Sequence, residues 1–250
     1  MCQWYFISKH EILHNKFATL ICINHYSINL HKSKFIIHYV LHNNIKYKEA
    51  LVIKGSDILD LKDKNIVFGI TGSFYTFKNT ILQIKELVKE KANIIPIMSY
   101  AAYNIDTRFG NTKDHIKEIE EITGNKIINT IKDVEQLLLR NINDIMIIAP
   151  CTGNTIAKLS NGICDSPVLL ASKLNFKRDN PLVIAPSTSD GLSTSAENIG
   201  RLLNRKDIFF VPFRQDNPIT KPRSISFDPK YIKNTLKYAL DREQIQPILL

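Results

Sequence analysis

The chain has 250 residues, 44% of them apolar, with 33 Lys and Arg against 24 Asp and Glu for a formal net charge of +9, which supplies a buried core for one large domain or a domain with a small appendage. The positive excess suits anionic small ligands or an acidic partner, and because it is spread along the chain with no basic stripe interleaved with aromatics it argues against nucleic-acid binding. No apolar run is long enough to cross a bilayer, no signal-peptide core precedes a small-residue cleavage site, and Cys2, Cys22, Cys151 and Cys164 lack paired metal spacing, so a cytoplasmic protein with free thiols and no metal is expected.

Six of the seven histidines (His10, His14, His25, His31, His38, His42) and the only tryptophan, Trp4, fall in the first 42 residues. His10/His14 and His38/His42 have the spacing that puts two rings on one helix face. The stretches around them, rich in Ile, Tyr and Phe, read as strand, and no acidic or cysteine partners accompany them, so a metal site is not expected. Segments 17–23 and 36–41 suit a hairpin or an unstructured leader. Strands and helices alternate regularly only from Asn65 onward, which puts a boundary in the charged stretch Asp57 to Lys64. Residues 1–63 are read as a dispensable N-terminal extension and 64–250 as the principal domain.

The domain opens with strand Asn65–Ile70, turn Thr71–Ser73 and helix Phe74–Lys91. Strand Ile94–Ser99, helix Thr112–Ile122 closed by Gly124, a short strand at Lys126–Ile128 and helix Ile131–Leu139 follow. The run Ile145–Ala149 has no polar residue and suits a central parallel strand, which Pro150 should stop. Helices Thr155–Asn161 and Pro167–Leu174, strand Pro181–Ala185, helix Thr194–Leu203, strand Asp207–Pro212 and helix Pro229–Leu240 complete the pattern. This alternation predicts an α/β fold, a three-layer doubly wound parallel sheet of Rossmann-like type. Right-handed crossovers then bring the loops Thr71–Ser73, Ser99–Asn104, Cys151–Thr155, Ser187–Leu192 and Phe213–Pro218 to one sheet edge, where such folds bind ligands.

Two of those loops carry the chemistry. Gly69-Ile70-Thr71-Gly72-Ser73 is neither the GxGxxG of a dinucleotide fold nor a Walker loop, so neither NAD nor ATP is favoured. Amides at a helix start, with the Thr71 and Ser73 hydroxyls, suit a monophosphate such as that of FMN, and a mere tight turn is the alternative. Cys151 to Thr155 supply short polar groups and a glycine at the next strand end. Cys151 lies where a helix terminus can lower a thiol pKa, or else lines the loop as a small buried side chain.

Read together, Gly-Ile-Thr-Gly-Ser at 69–73 and Ala-Pro-Cys-Thr-Gly-Asn-Thr at 149–155 resemble the flavoprotein family of FMN-binding decarboxylases and prenyltransferases. Its second motif usually reads Pro-Ala-Ser/Thr-Ala-Asn-Thr, matched here by Pro150, Asn154 and Thr155. Within it, Asn-Ile-Asp-Thr-Arg-Phe-Gly at 104–110, Cys-Asp-Ser-Pro-Val-Leu-Leu-Ala-Ser-Lys at 164–173, the segment 208–222 and the ending 244–250 resemble the B-subunit family of dipicolinate synthases. The resemblance covers about 64–250, and nothing before Lys64 belongs to it.

That resemblance implies an oxidoreductase subunit that works with a dehydrogenase-like A subunit to oxidise dihydrodipicolinate to dipicolinate in the mother cell of a sporulating bacterium. It admits FMN as a cofactor and NAD(P) brought by the A subunit. Thr71, Gly72, Ser73 and Ser99 would hold a phosphate and ribityl chain, while Pro150, Cys151, Thr152, Gly153, Asn154, Thr155 and Ser187 would face a flavin, a nicotinamide or the substrate. The substrate's two carboxylates call for cations: Arg108, whose planar fork suits a bidentate clamp, and Lys221, in a proline-punctuated stretch able to act as a lid, with Arg214 as a third. Asn154 joins them as a substrate-binding candidate. Asp106, Asp190 and Asp216 are candidates for the general base by location alone. Two alternatives stay open, an FMN-dependent decarboxylase-like flavoprotein and a binding subunit without chemistry. The decarboxylase branch uses a histidine base, and past the extension the chain has only His115. Relatives form symmetric trimers or dodecamers, so an oligomer is expected.

Overall fold

Runs that a sheet can cover on both faces become its central strands. The structure, a computed structural model, describes residues 60–139 and 143–250; the expected 1–63 extension, with its six histidines, lies outside them except for 60–63. Strands β1 (Asn65–Ile70), β2 (Asn93–Met98), β3 (Ile145–Cys151), β4 (Leu182–Thr188) and β5 (Ile208–Phe210) are buried almost end to end. They pair in parallel in the order β2-β1-β3-β4-β5, with Pro96, Phe68, Ile147, Val183 and Phe209 in register across the sheet.

Eight helices flank these strands among the described residues: α1 (Phe77–Lys89), α2 (Tyr100–Asn104), α3 (Thr112–Thr123), α4 (Ile131–Leu139), α5 (Gly153–Ser160), α6 (Pro167–Phe176), α7 (Ala196–Leu203) and α8 (Ile232–Leu240). Helix α1 buries Phe77, Ile81, Ile84 and Leu87, one face of a 3.6-residue period, and packs beside α3 and α8. Helix α6 touches β2, β3 and β4 and forms the other layer with α4, α5 and α7. It is apolar nearly all round, and Val168 lies so close to Gly69 that a Cβ there would sit 3.0 Å from Cγ1. The three-layer α/β arrangement is the one that the alternation predicts.

The sheet is mixed rather than wholly parallel. The expected loop Phe213–Pro218 is instead β6 (Phe213–Asn217), which forms an antiparallel hairpin with β7 (Lys221–Phe227). Strand β7 pairs antiparallel with β4 at Ser187 and Thr188, above the part of β4 that pairs with β5. The hairpin therefore stands over the carboxyl end of β4.

Three smaller expectations also change. Pro150 does not stop β3, which runs on to Cys151 with a cis Ala149–Pro150 bond and a register shift against β4. Lys126–Ile128 forms only a single bridge, Ile97 to Ile128, at the outer edge of β2. The supposed loop Ser99–Asn104 contains α2, whose first turn is capped by the Ser99 hydroxyl accepting from the Ala102 amide at 3.3 Å.

Candidate functional site

The carboxyl ends of β1 and β3 are tied together by one side chain. The Thr71 hydroxyl donates to the Pro150 carbonyl at 2.8 Å and accepts from the Thr152 amide at 3.1 Å. Thr71 is buried, and its hydroxyl is engaged both as donor and as acceptor. Thr152 in turn caps α5, its hydroxyl accepting from the Thr155 amide at 3.3 Å and lying 3.0 Å from the Thr155 hydroxyl. Cys151 is fully buried, and burial pushes its thiol well above the ordinary range. It is an inert lining side chain, the second of its two sequence readings.

The loop after β4 is wound around Asp190. One carboxylate oxygen accepts from the Thr188 hydroxyl and, at 2.9 Å, from the Ser195 hydroxyl, while the Asp190 carbonyl accepts from the Ser193 and Ser195 amides. Gly153 packs directly on this cluster. A Cβ there would lie 2.5 Å from Thr188 Oγ1, 2.8 Å from Asp190 Oδ1 and 2.9 Å from Ser195 Oγ, so the start of α5 approaches the loop as only glycine allows.

A second set of hydroxyls joins the β1 loop to β4 and the hairpin. Ser73 Oγ lies 2.8 Å from Ser187 Oγ, and the Tyr75 hydroxyl lies 3.0 Å from the same Ser187 oxygen. Ser73 and Ser187 are buried, whereas Tyr75 is 48% exposed. Asp216, on β6, accepts from the Ser224 hydroxyl with one oxygen and from the Ser226 hydroxyl with the other. Between Tyr75 and the hairpin lies a cavity of about 390 Å³, lined by Tyr75, Ser189, Asp216, Lys221, Arg223 and Ser224 together with Pro222. Burial, with the Asp216 charge as a lesser cause, raises the Tyr75 phenol above its ordinary pKa.

The sequence candidates thus divide. Thr71, Ser73, Cys151, Thr152, Gly153, Thr155, Ser187 and Asp190 fall at three cross-linked strand ends, and Asp216 and Lys221 line the adjoining cavity. Gly72 lies beside α2, a Cβ there meeting Ala101 at 3.6 Å, and its amide N–H donates no hydrogen bond among the described residues. Asn154 is exposed in the first turn of α5, where the amides of Gly153 and Asn154 have no partner one turn earlier. Asp106 and Arg108 do not line the cavity. Asp106 accepts from the Thr112 amide at 2.8 Å at the start of α3, and hydrogen bonds from Thr112 hold its carboxyl below the usual range. Arg108 is exposed and lies over the Phe109 ring at 4.9 Å. Arg214 is exposed on β6. His115, the one histidine among the described residues, packs edge-on against Phe77 with centroids 5.6 Å apart.

Tyr75, Arg223, Ser224 and Ser226 escape the sequence reading. The alternation of Ser224 and Ser226 is the signal that was available, since a two-residue period places both on one face of a strand, here toward Asp216.

A family model described as Flavoprotein matches residues 56–225. The B subunit of dipicolinate synthase from Bacillus subtilis (strain 168) is 41% identical over 190 residues, 76% of this chain and 95% of that protein. A crystal structure of the corresponding B subunit from Bacillus halodurans superposes with a TM-score of 0.71 at 35% identity, over 77% of this chain and 98% of that one. An FMN-dependent cysteine decarboxylase superposes with a TM-score of 0.56 at 18% identity, over 73% of this chain and 98% of that one, which shows a shared fold alone.

Proposed function

The chain belongs to the flavoprotein family, and from that premise we propose that it acts as the B-type subunit of a dipicolinate-forming oxidoreductase, in an oligomer with a dehydrogenase-like A subunit. The reaction removes a hydride and a proton from dihydrodipicolinate and leaves the aromatic pyridine dicarboxylate. The observation that carries the reading is the edge where the β1, β3 and β4 ends are cross-linked through Thr71 and Ser187 beside a cavity with Lys221 on its wall. Such an edge holds a ring rigidly while a cation takes its carboxylate, and so orients the reacting carbon toward an acceptor.

Part of the edge fits the phosphate end of FMN. The open Gly72 amide and the first-turn amides of Gly153 and Asn154 stand on neighbouring strand ends, with the exposed Asn154 side chain, unpartnered among the described residues, beside them. Thr71 and Cys151 would support this cradle rather than touch the ligand, one hydroxyl being fully engaged and one thiol fully buried. Bound there, FMN supplies a two-electron acceptor, and NAD(P) carried by the A subunit supplies the same capacity. On this reading the protein works in the mother cell of a sporulating bacterium.

A second reading, in which the chain shapes its partner's site without chemistry of its own, draws on the three candidate carboxylates. Asp106, Asp190 and Asp216 each accept hydrogen bonds that position loop or strand, and none is presented as an unengaged base. Co-expression with an A-type subunit, followed by a dihydrodipicolinate oxidation assay with and without FMN, tests both. Oxidation that requires both chains is expected. An A subunit equally active alone would overturn the proposal, and full activity with Asn154→Ala in an intact assembly would favour the second reading.

A further inference from the structure

We propose that the Tyr75 hydroxyl takes up the proton released when the substrate ring is oxidised and passes it through Ser226 to Asp216, an inference that rests on the functional reading above. The members of this relay come from separate stretches of chain. Tyr75 stands on the short turn Phe74–Thr76 between β1 and α1, Ser187 on β4, Asp216 on β6 and Ser226 on β7. Ser187 and Ser226 are register partners across the antiparallel β4–β7 pair, which puts their side chains on one face with Cβ atoms about 5 Å apart. The Tyr75 hydroxyl lies 3.0 Å from Ser187 Oγ and also meets Ser226. Ser226 in turn donates to one oxygen of Asp216.

One member fixes the direction of all the others. An ionised carboxylate can only accept, so Ser226 spends its single hydrogen on Asp216 and its oxygen is left to accept from Tyr75. With its own hydrogen turned to Ser226, Tyr75 accepts from Ser187, and Ser187 accepts from Ser73 at 2.8 Å. Every hydroxyl then donates toward the carboxylate, and hydrogen bonds aligned head to tail polarise one another. Strands β4 and β7 are already joined by backbone pairing at Ser187 and Thr188, so the row of hydroxyls adds a path rather than a tether.

The step balances in atoms and charge. One hydrogen leaves the dihydro ring with its electron pair, as hydride to the nicotinamide or flavin ring of that reading, and the other leaves as a proton that forms a new O–H bond at Tyr75. The original Tyr75 hydrogen passes to Ser226 and that of Ser226 to Asp216, so both hydroxyls end neutral and the carboxylate ends protonated. Asp216 lines the cavity and returns the proton there to water. Burial holds the phenol protonated at neutral pH, so Tyr75 acts by accepting and donating together and not as a phenolate. The two serines on Asp216 thereby divide their work, Ser224 holding the carboxylate and Ser226 feeding it. The charged groups that line the cavity with Tyr75 are Asp216 of β6 and Lys221 and Arg223 of β7, and the loop after β4 contributes Ser189.

Steady-state oxidation by the reconstituted pair, followed across pH, tests the relay. Tyr75→Phe keeps the ring on the cavity wall but cannot relay, so kcat should fall about a hundredfold with KM little changed. Asp216→Asn should do the same and should abolish the fall in kcat on the acid side, because no carboxylate is left to be protonated in advance. Ser226→Ala should cost about tenfold or more, and Ser226→Thr, which keeps a hydroxyl on the strand, should restore most of it. A purely structural role would not make that distinction. Unchanged kcat in Tyr75→Phe or Asp216→Asn, losses confined to KM, or equal losses in Ser226→Ala and Ser226→Thr would each overturn the relay. A second readout needs no turnover. The phenol of Tyr75, followed by ultraviolet absorbance against Tyr75→Phe, should titrate above free tyrosine and move down in Asp216→Asn, since a nearby negative charge is gone. A phenol indifferent to Asp216 would break the link between them. The functional reading fails separately: no oxidation by the wild-type pair removes the reaction and the relay's proton with it, whereas oxidation insensitive to these variants removes the relay alone.

Discussion

The loops that follow β1 and β3 and the hairpin that follows β5 bring short polar side chains to the same edge of the sheet, but they use them in opposite ways. In the first region polar groups satisfy one another: Thr71 answers Pro150 and Thr152, and Thr152 answers Thr155. In the second, Asp216 is satisfied by serines while Lys221 and Arg223 are left without ion partners among the described residues. One region is a closed frame, and the other leaves two exposed cations beside an open cavity. The contrast bears on the 150–155 motif: its hydroxyls bond one another, its thiol is buried, and Asn154 is its exposed side chain.

If the first region is a frame, breaking its bonds should cost stability before it costs binding. Thr71→Val removes a buried hydroxyl that serves two backbone groups and leaves the Thr152 amide without a partner, so the urea midpoint should fall by the equivalent of about 3 kcal/mol. An unchanged midpoint would mean that the β1 and β3 ends are not held through this residue. Gly153→Ala comes next. The added methyl must displace Thr188, Asp190 or Ser195, and a loss of about 1 to 2 kcal/mol is expected, since overpacking outweighs the better helix propensity of alanine. A stabilised Gly153→Ala would show that the α5 start and the 188–195 loop stand further apart than described.

The same contrast explains what could be read from the sequence. Strands β1, β3 and β4 are legible because helices cover both faces and leave almost no polar residue in the run. The hairpin is not. Arg214, Asp216, Lys221 and Arg223 break its apolar pattern, and Pro222 argues against a strand. Strand β7 meets β4 only at Ser187 and Thr188, so the missing amide of Pro222 falls outside that pairing and is tolerated. Tyr75 is hidden for a different reason. Its partner Ser187 lies 112 positions away, and no local period marks it. Lys221 was legible as a cation near prolines, but the pocket around it required the fold.

The smallest expected effect separates the two regions most cleanly. Side chains whose charges are already paired or buried contribute to folding, so their removal lowers stability. Lys221 and Arg223 are exposed and have no ion partner among the described residues, hence the folded state gains nothing from them that water does not offer the unfolded chain. Lys221→Ala/Arg223→Ala should therefore shift unfolding by no more than about 0.5 kcal/mol in either direction. Relief of repulsion between neighbouring cations would push the change toward stabilisation, and the effect should shrink with added salt, because exposed charges are screened. A loss of several kcal/mol would mean that these cations hold the hairpin itself, and the contrast between the closed frame and the open hairpin would then fail.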